Sequence, residues 1–149
     1  PAGTQIQVGE MPFGGALSPD GKILAVSNNG VGRQSISLVD VSTGKLLEDH
    51  LVLPPSALFM GLAFSPDGST LYASGGGSNE IQSYSFNGSK LELKGKISLG
   101  STSERIHPAG LAPGGGAIGL KVASIRSGLN PDQIGNGDAV ADFGIISNG

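Results

Sequence analysis

The chain has 149 residues, the length of one domain, and its 26 glycines beside only 14% charged residues argue against helix bundles and coiled coils. The formal net charge is −3 and no cluster of Lys or Arg provides the basic surface of a nucleic-acid-binding protein, so no nucleic-acid partner is expected. The absence of cysteine excludes disulfides, zinc–thiolate sites and cysteine nucleophiles.

The beginning of the chain carries neither an initiator Met nor a signal segment. It reads PAGTQIQVGE, so we expect the chain to start inside a longer precursor. No apolar run approaches the roughly 18 residues that are needed to cross a bilayer, and no membrane span is expected.

A first set of four short strands is predicted between Gly14 and Leu53. The runs GGAL and KILAVSN flank the tetrad Ser-Pro-Asp-Gly, and the runs QSISLVDV and LLEDHLVL flank a second turn, STGK. In the tetrad, Pro sets φ, Asp can bond the nearby backbone and Gly takes the left-handed conformation, so a strand-joining turn is predicted. Asp20 and Asp40 are therefore interpreted as turn-forming residues.

The same pattern returns 47 residues later, where Pro66 takes the position of Pro19. The runs MGLAF and STLYASG flank a second Ser-Pro-Asp-Gly, in which Asp67 is again a turn former, and the runs NEIQSYSF and LELKGKISL flank the turn NGSK. Four short antiparallel strands in each period are the content of one β-propeller blade. The stretch SGGGSN at 74–79 opens a strand, not a helix, so it predicts a flexible loop and not a phosphate-binding loop.

These two units resemble the YVTN-type β-propeller repeat. The resemblance rests on Ser-Pro-Asp-Gly, on strands that end AVSN and YASG, and on the run ISLVDVSTGK. Over about residues 1–112 the sequence is similar to the propeller part of bacterial secreted proteins in which a phosphoesterase domain of the alkaline-phosphatase superfamily follows the propeller. The resemblance implies a periplasmic or extracellular protein, and it carries over no catalytic residue, because no segment here matches the phosphoesterase domain.

A third unit begins at HPAGLA, where Gly110 corresponds to Gly61, but PGGGA stands where Ser-Pro-Asp-Gly is expected. The run LKVAS at 120–124 is interpreted as the counterpart of TLYAS. We divide the chain into two blades at residues 1–106 and a segment at 107–149. That segment is a diverged third blade, which we favour, an unrelated segment, or a boundary where the encoded sequence leaves its ancestral frame.

The expected fold is therefore all-β, a partial β-propeller of two four-stranded blades plus a diverged third unit. Propellers close with roughly 4 to 8 blades, and open sheets expose apolar faces and strand edges. The expected partners are thus further propeller blades, an adjacent phosphoesterase-like domain, or a second copy of the chain.

One stretch near the end of the chain has the spacing of a calcium loop. In GNGDAVADFG, Asn136, Asp138 and Asp142 match oxygen ligands, but Ile134 occupies a ligand position and Ala139 the position of the turn glycine. We prefer an Asn-Gly turn and expect no cofactor, with calcium near Asp138 as the alternative.

The two histidines, His50 and His107, are predicted to lie in loops without a convergent partner, and we assign them no function. No catalytic, cofactor-binding or metal-binding residue is assigned in this chain. We expect a non-catalytic binding or scaffold module that is part of a larger exported protein. The alternative is part of a lactonase-type propeller hydrolase, which would need titratable groups in a central channel.

Overall fold

The computed structural model describes residues 3–101, 106–113, 120–126 and 141–146, which form three antiparallel β-sheets. Blade 1 contains β1 (Pro12–Leu17), β2 (Ile23–Asn29), β3 (Gln34–Asp40) and β4 (Lys45–Val52). Blade 2 contains β5 (Leu62–Phe64), β6 (Thr70–Ser74), β7 (Glu80–Phe86) and β8 (Leu91–Ser98), and the third sheet contains β9 (Ile106–Pro113), β10 (Leu120–Arg126) and β11 (Ala141–Ile146). The expected all-β fold with two four-stranded blades is confirmed.

The strands of each blade follow one another in space as they do in sequence, and the repeated tetrad makes the first turn of each blade. The Gly21 amide donates to the Ser18 carbonyl at 2.8 Å, and the Ser18 amide donates to the Ile23 carbonyl at 2.8 Å. Gly21 and its counterpart Gly68 both have φ of 73°, which a side chain disfavours. The tetrads are therefore strand-joining turns, as the sequence predicts.

Blades 1 and 2 pack face to face through one apolar core. Alternate residues of the central strands point into it, as the period-two pattern of the sequence requires. Its buried members are Ile23, Ala25, Ile36, Leu38, Val52, Leu58, Leu62, Phe64, Leu71, Ala73, Tyr84 and Leu91.

Glycines near the first strand of each blade allow the backbones of neighbouring sheets to come close together. A Cβ atom placed on Gly14 would overlap the carbonyl oxygen of Met60, and a Cβ on Gly61 would overlap the carbonyl oxygen of Ala109. The Ser74 hydroxyl accepts from the Gly61 amide at 2.9 Å and donates to the Ala109 carbonyl at 3.1 Å. Blade 2 therefore contacts the third sheet in the same way as blade 1 contacts blade 2.

The third sheet has the order β11-β10-β9 and packs on blade 2 through Ala63, Ile81 and Val122. Its register is the same as that of the blades, because the residue opposite each repeat glycine lies 13 positions later in the chain. Gly14 lies opposite Ser27, the Gly61 carbonyl accepts from the Ser74 amide, and Gly110 lies opposite Ala123.

The interpretation of LKVAS as the counterpart of TLYAS was therefore wrong by one position. The residue opposite Gly110 is Ala123, so Ala123 and not Ser124 is the counterpart of Ser74. The irregular pairing beside Gly110 also occurs beside Gly14 in blade 1 and leaves this register unchanged. The division of the chain between residues 106 and 107, and the origin of the segment after it, stay predictions.

Candidate functional site

The connections that could form a ligand-binding surface lie together at one end of the blades. The β2–β3 loop, the β6–β7 loop and the connections between successive sheets lie there, because alternate turns of an antiparallel meander fall at alternate ends. The Ser-Pro-Asp-Gly turns lie at the opposite end. We call the first of these the loop end.

An apolar surface lies at the loop end and consists of Met11, Phe13, Phe59 and Met60. The side chains of Met11, Phe13 and Met60 are 59%, 51% and 40% exposed. The rings of Phe13 and Phe59 stack at a centroid distance of 5.7 Å and join blade 1 to the connection that leads into blade 2. We call these four residues the rim surface.

Backbone hydrogen bonds hold the rim surface in place. The Met11 carbonyl accepts from the Asn29 amide at 3.0 Å, and the Asn29 side chain donates to the Leu58 carbonyl at 2.8 Å. The Phe59 amide donates to the Ser74 carbonyl at 2.8 Å. The exposed aromatic and methionine side chains therefore project from a well-bonded backbone and do not lie on a loose loop.

A small cleft of about 220 Å³ adjoins the rim surface and is lined by Phe59, Gly76, Gly77 and His107. The glycine-rich stretch was predicted to be a flexible loop, but it forms a short 3-10 helix at Gly76–Ser78, in which Gly76 is buried. Asn79 ends this helix in the left-handed conformation and donates through its side chain to the Ser101 carbonyl at 2.6 Å. The close packing of Gly76 on Phe59 is what orders the stretch.

His107 lies in β9 and not in a loop, which corrects the prediction. His50 likewise lies in β4, where its imidazole meets the ring of Tyr84 edge-on at 5.1 Å and its Nδ1 lies 3.6 Å from a carboxylate oxygen of Glu48. The second carboxylate oxygen of Glu48 accepts from the Leu91 amide at 2.7 Å. His50 therefore belongs to the contact between blades 1 and 2.

A cleft of about 270 Å³ lies beside His50, and its wall includes Tyr84, Gln82 and Lys96. Burial raises the pKa of the Tyr84 phenol above its usual range. Its hydroxyl donates to the side-chain oxygen of Gln82, and the Gln82 amide donates to the Ala57 carbonyl at 2.7 Å. The Tyr84 phenol and the Gln82 amide thus form hydrogen bonds that hold the β4–β5 connection on blade 2.

The innermost strands β1, β5 and β9 enclose a larger hollow of about 640 Å³ on the axial side of the sheets. Its described lining residues include no titratable side chain; they are Gly15, Ala16, Leu17, Pro19, Leu62, Ala63, Phe64, Ser65, Pro66, Leu111, Ala112 and Pro113. This part of the axial wall offers no acid, base or metal ligand.

The aspartates Asp20, Asp40 and Asp67 are engaged in turns, as predicted. Hydrogen bonds from Ser18 to Asp20 and from Ser42 to Asp40 hold the pKa of each carboxyl below its usual range. Asp40 also accepts from the amides of Ser42 and Thr43, at 2.8 and 3.0 Å. Their charges stabilise local backbone, and Asp67 also lines an open hollow of about 590 Å³ together with Tyr72 and Lys94.

Hydrogen bonds, above all from the Ser65 hydroxyl, lower the pKa of the Asp67 carboxyl to about 2. A lowered folded-state pKa stabilises the fold above about pH 4, and this stabilisation is lost as the pH falls towards 2. We expect Ser65→Ala to raise the pKa of Asp67 towards 3.8, measured by NMR titration of the carboxyl carbon. The matched change Ser89→Ala, in a turn that Asp67 does not contact, should leave that pKa unchanged; an unchanged pKa in both variants would contradict the assignment.

The calcium-loop residues Asn136 and Asp138 lie outside the described residues, as do Ile134 and Ala139. Asp142 falls within β11, where its backbone pairs with Ser124. In the ranges that the structure describes, no three His, Asp or Glu side chains come together as a metal site would require. Calcium near Asp138 stays a prediction.

The rim surface was missed by the reasoning from sequence. Its signal is the recurrence of Met11-Pro12-Phe13 before Gly14 and of Leu58-Phe59-Met60 before Gly61, one repeat apart. Whether such an apolar triplet is exposed depends on whether another sheet covers it, so the triplets alone did not indicate a surface.

Comparisons with family models and with curated proteins find no match for this chain. Among solved structures it is similar to hydrazine synthase from Kuenenia stuttgartiensis (TM-score 0.56, 21% identity, 85% of this chain and 35% of that one). It is similar to the WD40 repeats of RRP9 (TM-score 0.59, 19% identity, 83% and 33% covered). It is also similar to a candidate 6-phosphogluconolactonase from Bacteroides uniformis (TM-score 0.60, 18% identity, 100% and 48% covered).

The chain spans between about a third and about half the length of these proteins. No helix in the described ranges is long and apolar enough to cross a membrane. Three observations indicate the same fold: the sheets pack face to face, glycines form close contacts between them, and the structure is similar to WD40 and other propellers. The chain therefore forms part of a β-propeller.

Proposed function

We propose that the chain is a non-catalytic binding or scaffold section of a larger YVTN-type β-propeller protein. The observation that carries this proposal is the rim surface, where Met11, Phe13 and Met60 stay exposed and hydrogen bonds hold the backbone at Met11, Leu58 and Phe59. Apolar patches of this kind mark interaction sites more often than they mark chance exposure. Aromatic and methionine side chains are also enriched at protein interfaces.

The positions of the titratable side chains support a non-catalytic role. Asp20, Asp40 and Asp67 serve turns, and Asp49 pairs with Arg33 at 2.8 Å while also accepting from Ser37. The described axial wall carries no acid or base. Enzymatic use of a propeller channel would require convergent titratable groups there.

Export to the periplasm or the cell exterior, and an adjoining phosphoesterase-like domain or further blades, belong to the same proposal. They rest on the sequence resemblance alone. Fractionation of cells that produce the protein with its native flanking sequence tests the location, and an exclusively cytosolic product would contradict it.

Selection of a random peptide library on the purified chain tests the binding role. We expect enrichment of peptides with aliphatic and aromatic residues, and we expect Phe13→Ser to weaken their binding at least about 10-fold, because central aromatic anchors dominate interface energies. Val41→Ser is the matched control, because Val41 is 51% exposed directly after β3, at the end of blade 1 opposite the loop end. Equal loss in both variants, or selection of no peptide, would contradict the proposal.

A lactonase-type hydrolase is the competing function, and one feature favours it: His107 lines a cleft of about 220 Å³ at the loop end. One candidate lactonase also has a similar fold. Under the scaffold proposal, the chain hydrolyses glucono-δ-lactone no faster than buffer does. Hydrolysis that the wild-type chain performs and His107→Gln abolishes would replace the scaffold proposal with the hydrolase.

A further inference from the structure

The turn between the third and fourth strands of blade 2 contains the pair Asn87-Gly88. All residues of this turn, 87–90, are exposed. Gly88 has φ of 96°, and no atom lies within 4 Å of a Cβ placed on it. Its backbone amide donates to no acceptor in the described part of the chain. The backbone nitrogen of Gly88 is therefore accessible and unhindered beside the Asn87 side chain.

Two backbone amides hold the oxygen of the Asn87 side chain. This Oδ1 accepts from the amide of Lys90 at 2.9 Å and from the amide of Ser89 at 3.2 Å. A negative charge that develops on the oxygen would be stabilised by the same two donors, as in an oxyanion hole. The side-chain carbonyl of Asn87 is thus polarised for attack by a nucleophile.

An aspartate makes the same contacts in blade 1. Asp40 lies 47 residues before Asn87 and also adjoins the turn between the third and fourth strands of its blade. Its carboxylate accepts from the amides two and three residues later, those of Ser42 and Thr43. A turn of this kind therefore accommodates the acid as well as the amide, and a charged acceptor forms the stronger hydrogen bonds.

We propose that Asn87 is a deamidation site, at which blade 2 acquires the aspartate that blade 1 already has beside this turn. The Gly88 nitrogen forms a bond to Cγ of Asn87, its proton passes through water to the side-chain nitrogen, and ammonia leaves. Water then opens the cyclic imide. Hydrolysis of the bond from nitrogen to Cγ gives aspartate, and hydrolysis of the bond to the backbone carbonyl carbon gives isoaspartate.

The reaction consumes only water and releases only ammonia, so it needs no cofactor or oxidant. Each conversion adds one negative charge at the end of blade 2 that lies opposite the loop end. This modification goes beyond the proposed binding role and does not depend on it.

The other Asn-Gly pair among the described residues, Asn29-Gly30, lacks these features. The Asn29 side-chain nitrogen donates to the Leu58 carbonyl at 2.8 Å, and the Asn29 backbone is paired in β2. Gly30 is buried, and a Cβ placed on it would lie 2.7 Å from the Arg33 carbonyl oxygen. Loss of ammonia from Asn29 would break the bond to Leu58 and place an acid oxygen beside that carbonyl. Asn29 is therefore a matched control within the same chain.

Incubation of the purified chain in mildly alkaline buffer, followed by peptide mapping with mass spectrometry, measures the reaction at each asparagine. We expect Asn87 to convert at least about 10-fold faster than Asn29, because a single oxyanion donor changes enzymatic rates by about 100-fold or more. In guanidinium chloride the two rates should differ by less than about 3-fold, because unfolding removes the contacts that distinguish the two pairs. An Asn87 that reacts no faster than Asn29 in the folded chain, or an equal ratio of rates in both states, would overturn the proposal.

The variant Asn87→Asp tests whether the turn accepts the product. We expect it to keep the urea midpoint of the wild-type chain and to coelute in anion exchange with the aspartate form of incubated protein. Asn29→Asp is the matched change and should lower the urea midpoint, because it removes the donor to the Leu58 carbonyl. Equal lowering of the midpoint by both variants would refute the compatibility of this turn with an acid.

Discussion

Gly14→Ala is expected to lower the free energy of unfolding by about 3 kcal/mol or more. The added methyl group would overlap the Met60 carbonyl oxygen and approach the backbone carbon behind it. Neither atom belongs to a flexible side chain, so relief requires the innermost strands of blades 1 and 2 to separate. That movement would open the apolar core between them. Urea unfolding followed by far-UV circular dichroism measures the change.

Gly61→Ala should behave in the same way, because its added methyl group would overlap the Ala109 carbonyl oxygen at the next junction. Gly77→Ala is the matched control: nothing lies within 4 Å of a Cβ at that position, and φ there is not in the left-handed region. This control should change stability by less than about 1 kcal/mol. Similar losses of stability in all three variants would show that the replacement of any glycine has this effect, and that the contact between sheets is not its cause.

Leu71→Ala is expected to lower the free energy of unfolding by about 3 kcal/mol, because Leu71 is fully buried between blades 1 and 2 and its removal leaves a cavity. Leu24 holds the same position one repeat earlier but is only half-buried, on the face of blade 1 that points away from blade 2. Leu24→Ala should therefore cost only about 1 kcal/mol.

The same urea titrations, performed on both leucine variants, measure this difference. Equal losses in the two variants would contradict this difference in burial.

Much of the local structure could be predicted because it depends on neighbours in sequence. The turn at Ser18–Gly21 follows from a fixed proline φ, a carboxylate beside backbone amides and a glycine with positive φ. The strands follow from alternation of apolar residues, so β3 and β7 were predicted to within one residue of their observed ends. The blade as a unit then follows from the repeat of these signals.

The candidate site was harder to predict, because it depends on contacts between repeats. The stretch at 74–79 has the composition of a flexible loop, but packing of Gly76 against Phe59 orders it as a 3-10 helix. His50 and His107 have polar or proline neighbours typical of loops, yet both are in strands because their partner strands supply the hydrogen bonds. The exposure of Phe13 likewise cannot be read from an apolar triplet.

The sequence by itself determined the turns, the strands and the number of clear blades, because hydrogen bonds and backbone preferences act over a few residues. Only the tertiary structure decided which of two equivalent leucines, Leu24 or Leu71, is buried, since burial depends on whether a neighbouring sheet is present. It also decided the register of the third sheet, where Gly110 faces Ala123 and not Ser124. A one-residue shift exchanges the two faces of a strand, and in the observed register Val122 packs on blade 2.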